Sequence, residues 1–236
     1  MSNIIRRLGA AMVALSVAGP VWVAAQDSSP IKVARYPAAI RLACVGDSIT
    51  EGVGAGGGNS WPDQLRKMLG EKWEVKNFGV SGTTLMKSGD NPYQRQEAFK
   101  NAKALNPDVV VIVLGTNDTK PQNWRNFKKD FEADYKDLVG QFAELPAKPR
   151  IFVCHPPYIA KQGNYGITNP NTVEEIPVID RVAKAMHLGV IDVYSALKGQ
   201  DALIPDNVHP NSGGATLIAR AVFQRLTGKA APDVGK

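Results

Sequence analysis

The chain has 236 residues, 44% of them hydrophobic and 21% charged, which is typical of a globular protein with one large buried core. Its formal charge of +6 is spread over scattered lysines and arginines, so the composition argues against a nucleic-acid-binding protein. We find no internal repeat and no second domain boundary in the sequence, and therefore expect a single domain.

The first 25 residues have the pattern of a signal peptide. Two arginines precede an apolar segment at residues 8–23, and Val23 and Ala25 place small side chains just before the predicted cleavage site. A membrane anchor is the alternative, but Pro20 interrupts a segment that is already short for spanning a bilayer. Cleavage would remove the two arginines and no acid, which lowers the formal charge from +6 to +4. We expect a periplasmic or secreted protein with no stable membrane insertion after signal removal.

Apolar runs alternate with amphipathic segments along the rest of the chain. Residues 26–39 are predicted to be a loosely held leader, residues 40–228 the folded domain, and residues 229–236 a flexible tail. Strands are predicted at 40–45, 73–78, 109–114, 151–154 and 190–193, and helices at 60–69, 92–105, 123–145, 171–188 and 211–226. This alternation predicts an α/β fold: a three-layer α/β/α sandwich with a five-stranded, mainly parallel, flavodoxin-like central sheet.

The two cysteines fall inside two of these apolar runs. Cys44 belongs to the first predicted strand and Cys154 to the fourth. If a third strand separates them, they are too far apart for a disulfide. We expect two buried free thiols.

The informative polar residues follow the predicted strands, because ligands of an open parallel sheet bind beyond the carboxyl ends of its strands. Ser48 follows the first strand, Gly82 the second and Asn117 the third, while Asp206 and His209 follow the fifth. A serine hydroxyl becomes a useful nucleophile only beside a base that is oriented by a third group. These positions predict such a constellation at one edge of the sheet.

Four sequence blocks carrying these residues resemble those of the SGNH hydrolases, also called the GDSL esterase and lipase family. They are residues 46–49, 77–83, 115–118 and 206–209, and they depart from the family in the first block only by Ile49, where leucine is commonest. The resemblance implies a serine esterase without cofactor or metal. It implies Ser48 as nucleophile, His209 as base and Asp206 as the orienting acid. It also implies an oxyanion hole of the Ser48 and Gly82 backbone N–H groups and the Asn117 side-chain amide.

The substrate expectation depends on two loops, residues 52–58 and 155–170, which are polar and rich in glycine and offer little to line an acyl tunnel. We expect a short acyl group, most simply acetyl, on a small-molecule or glycan ester. Trp124, Tyr158 and Tyr165 are candidates to stack on sugar rings. The alternatives are a lipid-directed esterase, lysophospholipase or thioesterase of the same family, and a non-catalytic glycan-binding module.

Three further polar residues lie near these blocks. We interpret Asp47 and Asp118 as braces that accept backbone N–H groups, since a carboxylate beside the nucleophile would disfavour the oxyanion. His155 follows the fourth strand. Two roles are open for it: it lines the substrate site, or it is purely structural.

Two other motifs predict no additional site. The glycines at positions 52, 54 and 57 match a dinucleotide fingerprint, but that motif should follow its strand directly. A two-metal centre would need several histidines, and the chain has three, none of them in the first or third block.

Overall fold

The computed structural model describes residues 29–233, so the predicted signal peptide lies outside the described residues. Five strands form one sheet in which every neighbouring pair is parallel. They are β1 (Ile40–Gly46), β2 (Trp73–Gly79), β3 (Val109–Val113), β4 (Arg150–Cys154) and β5 (Gly189–Ile191), in the spatial order β2-β1-β3-β4-β5. This order is the flavodoxin-like one, and it confirms the predicted fold class.

Helices cover both faces of the sheet. They are α1 (Ser48–Glu51), α2 (Trp61–Leu69), α3 (Glu97–Ala104), α4 (Pro121–Phe127), α5 (Phe131–Ala143), α6 (Asn169–Met186), α7 (Val193–Leu197) and α8 (Ser212–Thr227). Helices α2, α7 and α8 contribute to the core on one face, and α3, α5 and α6 to the core on the other. None of the helices within residues 29–233 is both long and apolar enough to cross a bilayer.

Strand β1 shows how the two cores are separated. Leu42 and Cys44 pack into one core, while Ala43 and Val45 pack into the other. Successive side chains of a strand point to opposite faces, so a strand covered on both sides must be apolar throughout. Arg41 is the one break in the apolar run from Ile40 to Val45 that predicted this strand, and its guanidinium pairs with Asp108 at 3.0 Å.

The cysteines are free and buried, as predicted. Cys44 lies in β1 and Cys154 in β4, and β3 runs between these two strands. Burial raises the pKa of both thiols, so neither is available as a thiolate nucleophile.

The predicted helix at residues 123–145 is wrong as a single element. The structure has two helices, α4 and α5, joined by a turn in which the Asp130 N–H donates to the Phe127 carbonyl at 2.7 Å. The turn contains the exposed residues Lys128 and Lys129.

Two other predicted boundaries also shift. The helix expected from residue 92 begins at Glu97, because Tyr93 lies in a separate 3-10 turn. The Tyr93 hydroxyl donates to the Phe78 carbonyl at 2.7 Å. Strand β5 ends at Ile191 instead of continuing to Val193. The Asp192 side chain accepts the Ser195 N–H at 2.9 Å and starts α7 there.

The leader is held more firmly than its composition predicted. Ile31 is buried in the core beneath α8, and its N–H donates to the Leu226 carbonyl at 2.7 Å. The Arg150 guanidinium donates to the carbonyl of Pro30. Residues 29–36 are thus attached to the domain at the end of the sheet opposite to the carboxyl ends of the strands.

Candidate active site

Ser48 lies where the carboxyl end of β1 meets the short helix α1. The Asp47 carboxylate caps this helix by accepting the Ile49 N–H at 3.0 Å. Ser48 is the first helical residue, so its own N–H has no partner within the helix. Its side chain is 8% exposed and lines a pocket.

The structure brings Ser48, His209 and Asp206 into one hydrogen-bonded chain. The Ser48 Oγ lies 2.9 Å from His209 Nε2, and His209 Nδ1 lies 2.6 Å from Asp206 Oδ2. In the tautomer that satisfies both contacts, Nδ1 donates to the carboxylate and Nε2 accepts from the serine hydroxyl. Such a chain can remove the serine proton while the carboxylate stabilises the imidazolium that forms.

Asp206 and His209 are held by one tight loop. The Asp206 Oδ1 accepts the backbone N–H groups of Val208 at 3.0 Å and His209 at 2.6 Å, and Asn207 between them adopts a left-handed φ of +70°. Partial burial opposes ionisation of Asp206. The hydrogen bonds from the His209 side chain and from the two backbone N–H groups outweigh this effect and lower its pKa. Asp206 is therefore poised as a carboxylate.

The residues expected to supply the oxyanion donors line the same pocket as Ser48. Gly82 has a left-handed φ of +77°, which a residue with a side chain rarely adopts, and it lines the pocket with Ser48 and Asn117. The Asn117 Nδ2 donates to the Thr83 carbonyl at 3.1 Å and lies 3.5 Å from Asp47 Oδ2. The Asn123 Nδ2 in turn donates to the Asn117 carbonyl at 3.0 Å.

Asp47 and Asp118 brace this region from inside the protein. Asp118 accepts the N–H groups of Leu85 and Met86, each at 2.8 Å, and so ties the loop after β2 to the end of β3. Burial raises the pKa of Asp118 to about 7, partly opposed by these two hydrogen bonds. Burial likewise raises the pKa of Asp47 to about 6, opposed by the Ile49 N–H and the nearby His209.

The pocket around the serine has a volume of about 240 Å³. Three of its lining side chains lie outside the four sequence blocks, and no local pattern marks them: Val53, Lys120 and Ile167. Their shared feature is their position in loops that follow different strands. Only the tertiary fold brings these loops together.

Of the three candidate sugar-stacking residues, the structure places only Tyr165 at the pocket. Its side chain is 59% exposed, its ring packs edge-on against the His209 ring at 5.8 Å, and its hydroxyl lies 3.5 Å from Asp206 Oδ2. Trp124 is buried and donates to Glu174 at 2.9 Å. Tyr158 packs edge-on against Tyr194.

His155 and Ser81 lie outside the hydrogen-bonded chain. The ring nitrogens of His155 contact Asp180 at 2.8 Å and Asp192 at 3.4 Å, and the residue does not line the pocket. Its role in this structure is to connect α6 to the turn after β5. The hydroxyl and N–H of Ser81 both donate to the Glu51 carboxylate.

Comparisons with known proteins agree with this architecture. Residues 44–217 match the GDSL-like lipase/acylhydrolase family. An acetylxylan esterase from Xylanibacter ruminicola is 39% identical over 204 residues, which cover 78% of this chain but 42% of that protein. The chain thus spans less than half the length of this relative.

Two solved structures show the same fold at low sequence identity. The native aryl esterase of M. smegmatis superimposes with a TM-score of 0.64 at 22% identity, covering 80% of this chain and 98% of the other. A carbohydrate acetylesterase from Sinorhizobium meliloti gives a TM-score of 0.63 at 21% identity, covering 79% and 98%.

Proposed function

Because this chain belongs to the GDSL-like lipase/acylhydrolase family, we propose that it is a serine esterase that hydrolyses acetyl esters of carbohydrates through an acyl-enzyme. The observation that carries the proposal is the hydrogen-bonded chain Ser48–His209–Asp206, which opens into a small pocket beside Gly82 and Asn117. A binding module would have no need of a base held 2.9 Å from a serine hydroxyl.

In the first half of the reaction, Ser48 Oγ attacks the ester carbonyl as His209 Nε2 takes the hydroxyl proton. The carbonyl oxygen becomes an oxyanion that accepts the Ser48 and Gly82 backbone N–H groups and the second Asn117 amide hydrogen. In this step the second hydrogen exchanges its long contact with Asp47 Oδ2, at 3.5 Å, for a hydrogen bond to the oxyanion. Collapse of the intermediate breaks the bond to the alcohol, which leaves with the proton from Nε2.

In the second half, water replaces the alcohol. His209 removes a proton from the water, which attacks the acyl-serine carbonyl, and the same donors stabilise the second oxyanion. Breakdown of that intermediate returns the proton to Ser48 Oγ and releases the carboxylic acid. Asp206 stays ionised throughout, which is consistent with its lowered pKa.

The pocket and its rim support a short acyl group on a carbohydrate alcohol. A pocket of about 240 Å³ is large enough for the reacting atoms and a short acyl group. The leaving oxygen must lie beside His209 to receive its proton, so the alcohol extends towards Tyr165, whose ring packs on His209. An exposed aromatic ring at that position suits the flat face of a sugar. The 39% identity to an acetylxylan esterase supports the same substrate class.

We also propose that the protein is exported to the periplasm or the medium. The support is the signal-peptide pattern of residues 1–25. N-terminal sequencing of the protein recovered from cell fractions tests this proposal. An intact N-terminus on cytoplasmic protein would contradict it.

A substrate panel tests the function. We expect the purified protein to hydrolyse p-nitrophenyl acetate and to release acetate from acetylated xylan, with activity falling steeply as the p-nitrophenyl acyl chain lengthens. Replacing Ser48 by alanine should lower kcat by about 10⁶-fold, whereas the exposed Ser88→Ala control should keep it. Strong activity only on long acyl chains would favour a lipid-directed esterase. Glycan binding without turnover would favour a binding module.

A further inference from the structure

Helix α6 carries two consecutive glutamates in opposite environments. Glu174 is exposed and accepts hydrogen bonds from Trp124 Nε1 at 2.9 Å and Lys128 Nζ at 3.3 Å. Glu175 points into the protein and is 0% exposed. Among the residues that the structure describes, 29–233, none is a hydrogen-bond partner of either carboxyl oxygen of Glu175. A fully buried carboxyl group with no partner requires a physical explanation.

The titratable groups close enough to influence Glu175 supply no positive charge for its ionised form. They are the carboxyl groups of Asp118 and Asp47 and, from α5, the hydroxyl of Tyr135, which likewise has no hydrogen-bond partner within residues 29–233. On β4, the neutral Cys154 thiol lies close enough to influence Tyr135. Burial, and then the charges of Asp118 and Asp47, hold the pKa of Glu175 well above its ordinary value of 4.5. Nothing in this set is a cation.

The three acids do not form a metal site. Within residues 29–233, no group of three or more histidine, cysteine, aspartate or glutamate side chains could hold a metal ion. Asp118 and Asp47 are instead occupied by backbone N–H groups. A separate explanation is therefore needed for Glu175.

That explanation comes from the contact between Glu175 and Gly115. A Cβ atom added to Gly115 would overlap Oε2 of Glu175, so the carboxyl group packs directly against the Gly115 backbone. Gly115 has a φ of +130° and begins the 3-10 turn Thr116–Thr119, which carries Asn117. Glu175 thus fills the space behind the turn that presents the Asn117 amide to the pocket.

We propose that Glu175 is a positioning residue that lies as an uncharged carboxylic acid behind the Asn117 turn and fixes this turn in place. An ionised group there would place a third negative charge behind the amide that, under the proposed function, stabilises the oxyanion. The neutral acid supplies the same volume and shape without that charge. The effect on catalysis rests on the proposed role of Asn117, whereas the charge state of Glu175 does not.

Protein stability as a function of pH tests the charge state. The unfolded chain releases the Glu175 proton above about pH 4.5, but the native state retains it, so the wild type loses stability as pH rises. A Glu175→Gln variant escapes this loss. We expect its Tm, relative to wild type, to increase as pH rises above about 5.

The neighbouring Glu174→Gln variant is the matched control. Hydrogen bonds from Trp124 and Lys128 lower the pKa of Glu174, so its contribution to stability is complete above the ordinary pKa. We expect a Tm difference from wild type that does not change over the same pH range. A flat or falling difference for Glu175→Gln would overturn the proposal. So would failure of this variant to fold, since glutamine is the closest neutral mimic of the acid.

Kinetics with p-nitrophenyl acetate test the positioning role. At neutral pH, Glu175→Gln should keep kcat within about threefold of wild type. Glu175→Ala, which removes the support behind Gly115, should lower kcat by about tenfold with a much smaller change in KM. Wild-type kcat in the alanine variant would overturn the positioning role. Wild-type kcat in Asn117→Ala would instead contradict the proposed oxyanion hole and leave the pH dependence of stability intact.

Discussion

Carboxyl groups meet at the carboxyl edge of the sheet in two contrasting environments. Asp206 lies at the rim, bonded to His209 and to two backbone N–H groups, and these contacts lower its pKa despite partial burial. Asp47 and Asp118 lie inside, and burial raises their pKa values to about 6 and about 7. Burial thus moves the titration of the two inner carboxyl groups towards neutral pH, whereas the rim carboxyl group stays charged at that pH.

The contrast shows that the number of hydrogen bonds does not by itself decide the charge state. Asp118 accepts two backbone N–H groups at 2.8 Å, and Asp206 also accepts two, yet their pKa values shift in opposite directions. The difference lies in solvent access and in the imidazole that Asp206 contacts. The rim carboxylate is the one hydrogen-bonded to the His209 ring, so it directly stabilises a positive charge that develops there. The buried acids can hold the backbone.

The largest expected effect comes from neutralising the rim carboxylate. Asp206→Asn should lower kcat by about 10⁴-fold, because the amide no longer stabilises the imidazolium or selects its tautomer. Steady-state kinetics with p-nitrophenyl acetate measure it. Asp180→Asn is the matched control. Asp180 lies 2.8 Å from a different histidine, His155, which does not line the pocket. If the two variants lost kcat equally, the Asp206–His209 pair would have no special role in catalysis.

Removing the Asn117 side-chain amide should have the next largest effect on kcat. Asn117→Ala takes away one oxyanion donor and should lower kcat by about 100-fold, with KM nearly unchanged. Kinetics with p-nitrophenyl acetate again provide the measurement. A change confined to KM would mean that Asn117 contacts the substrate only in its ground state.

The ring that covers the Asp206–His209 pair should matter for carbohydrate substrates. Tyr165→Ala should raise KM for acetylated xylooligosaccharides by about tenfold and affect p-nitrophenyl acetate less, because only the sugar needs the platform. Tyr165→Phe keeps the ring and should keep the KM. Equal effects on both substrates would indicate that Tyr165 acts through His209 instead.

The smallest expected effects are on protein stability. The contribution of the rim carboxyl group and that of the buried carboxyl groups change with pH in opposite directions. Asp206, with a lowered pKa, contributes stability above its ordinary value of 3.8 and loses it as pH falls. Asp118, with a pKa raised to about 7, makes the native state less stable as pH rises from 3.8 to about 7.

Two variants convert this into a measurement. Asp118→Asn leaves a backbone N–H without its acceptor and should cost about 1–3 kcal/mol, a deficit that shrinks as pH rises towards 7. The loss of stability in Asp206→Asn, relative to wild type, should instead grow as pH rises through the acid range. Denaturation at several pH values checks both, and slopes of the same sign would contradict the assigned charge states.

The sequence by itself determined the sheet and the members of the hydrogen-bonded chain. Runs such as residues 109–113 are apolar at every position, which only a strand buried on both faces requires, and polar residues after such strands must share one edge. Ser48, Asp206 and His209 could be identified because each stands directly after a strand or in a recognisable block. Helix boundaries were less predictable, since the break between α4 and α5 and the start of α3 depend on contacts with other segments.

The tertiary structure alone decided the environment of each polar side chain. Asp47, Asp118 and Glu175 have the same chemistry in the sequence as Asp206, and only the tertiary structure shows that burial raises the pKa values of the first three while hydrogen bonds at the rim lower the pKa of Asp206. Likewise, nothing local distinguishes Tyr165 from Tyr158, yet one ring lies on His209 and the other on Tyr194. Charge state and substrate contact depend on distances between segments far apart in the chain. These distances become fixed only when the loops at the edge of the sheet pack together.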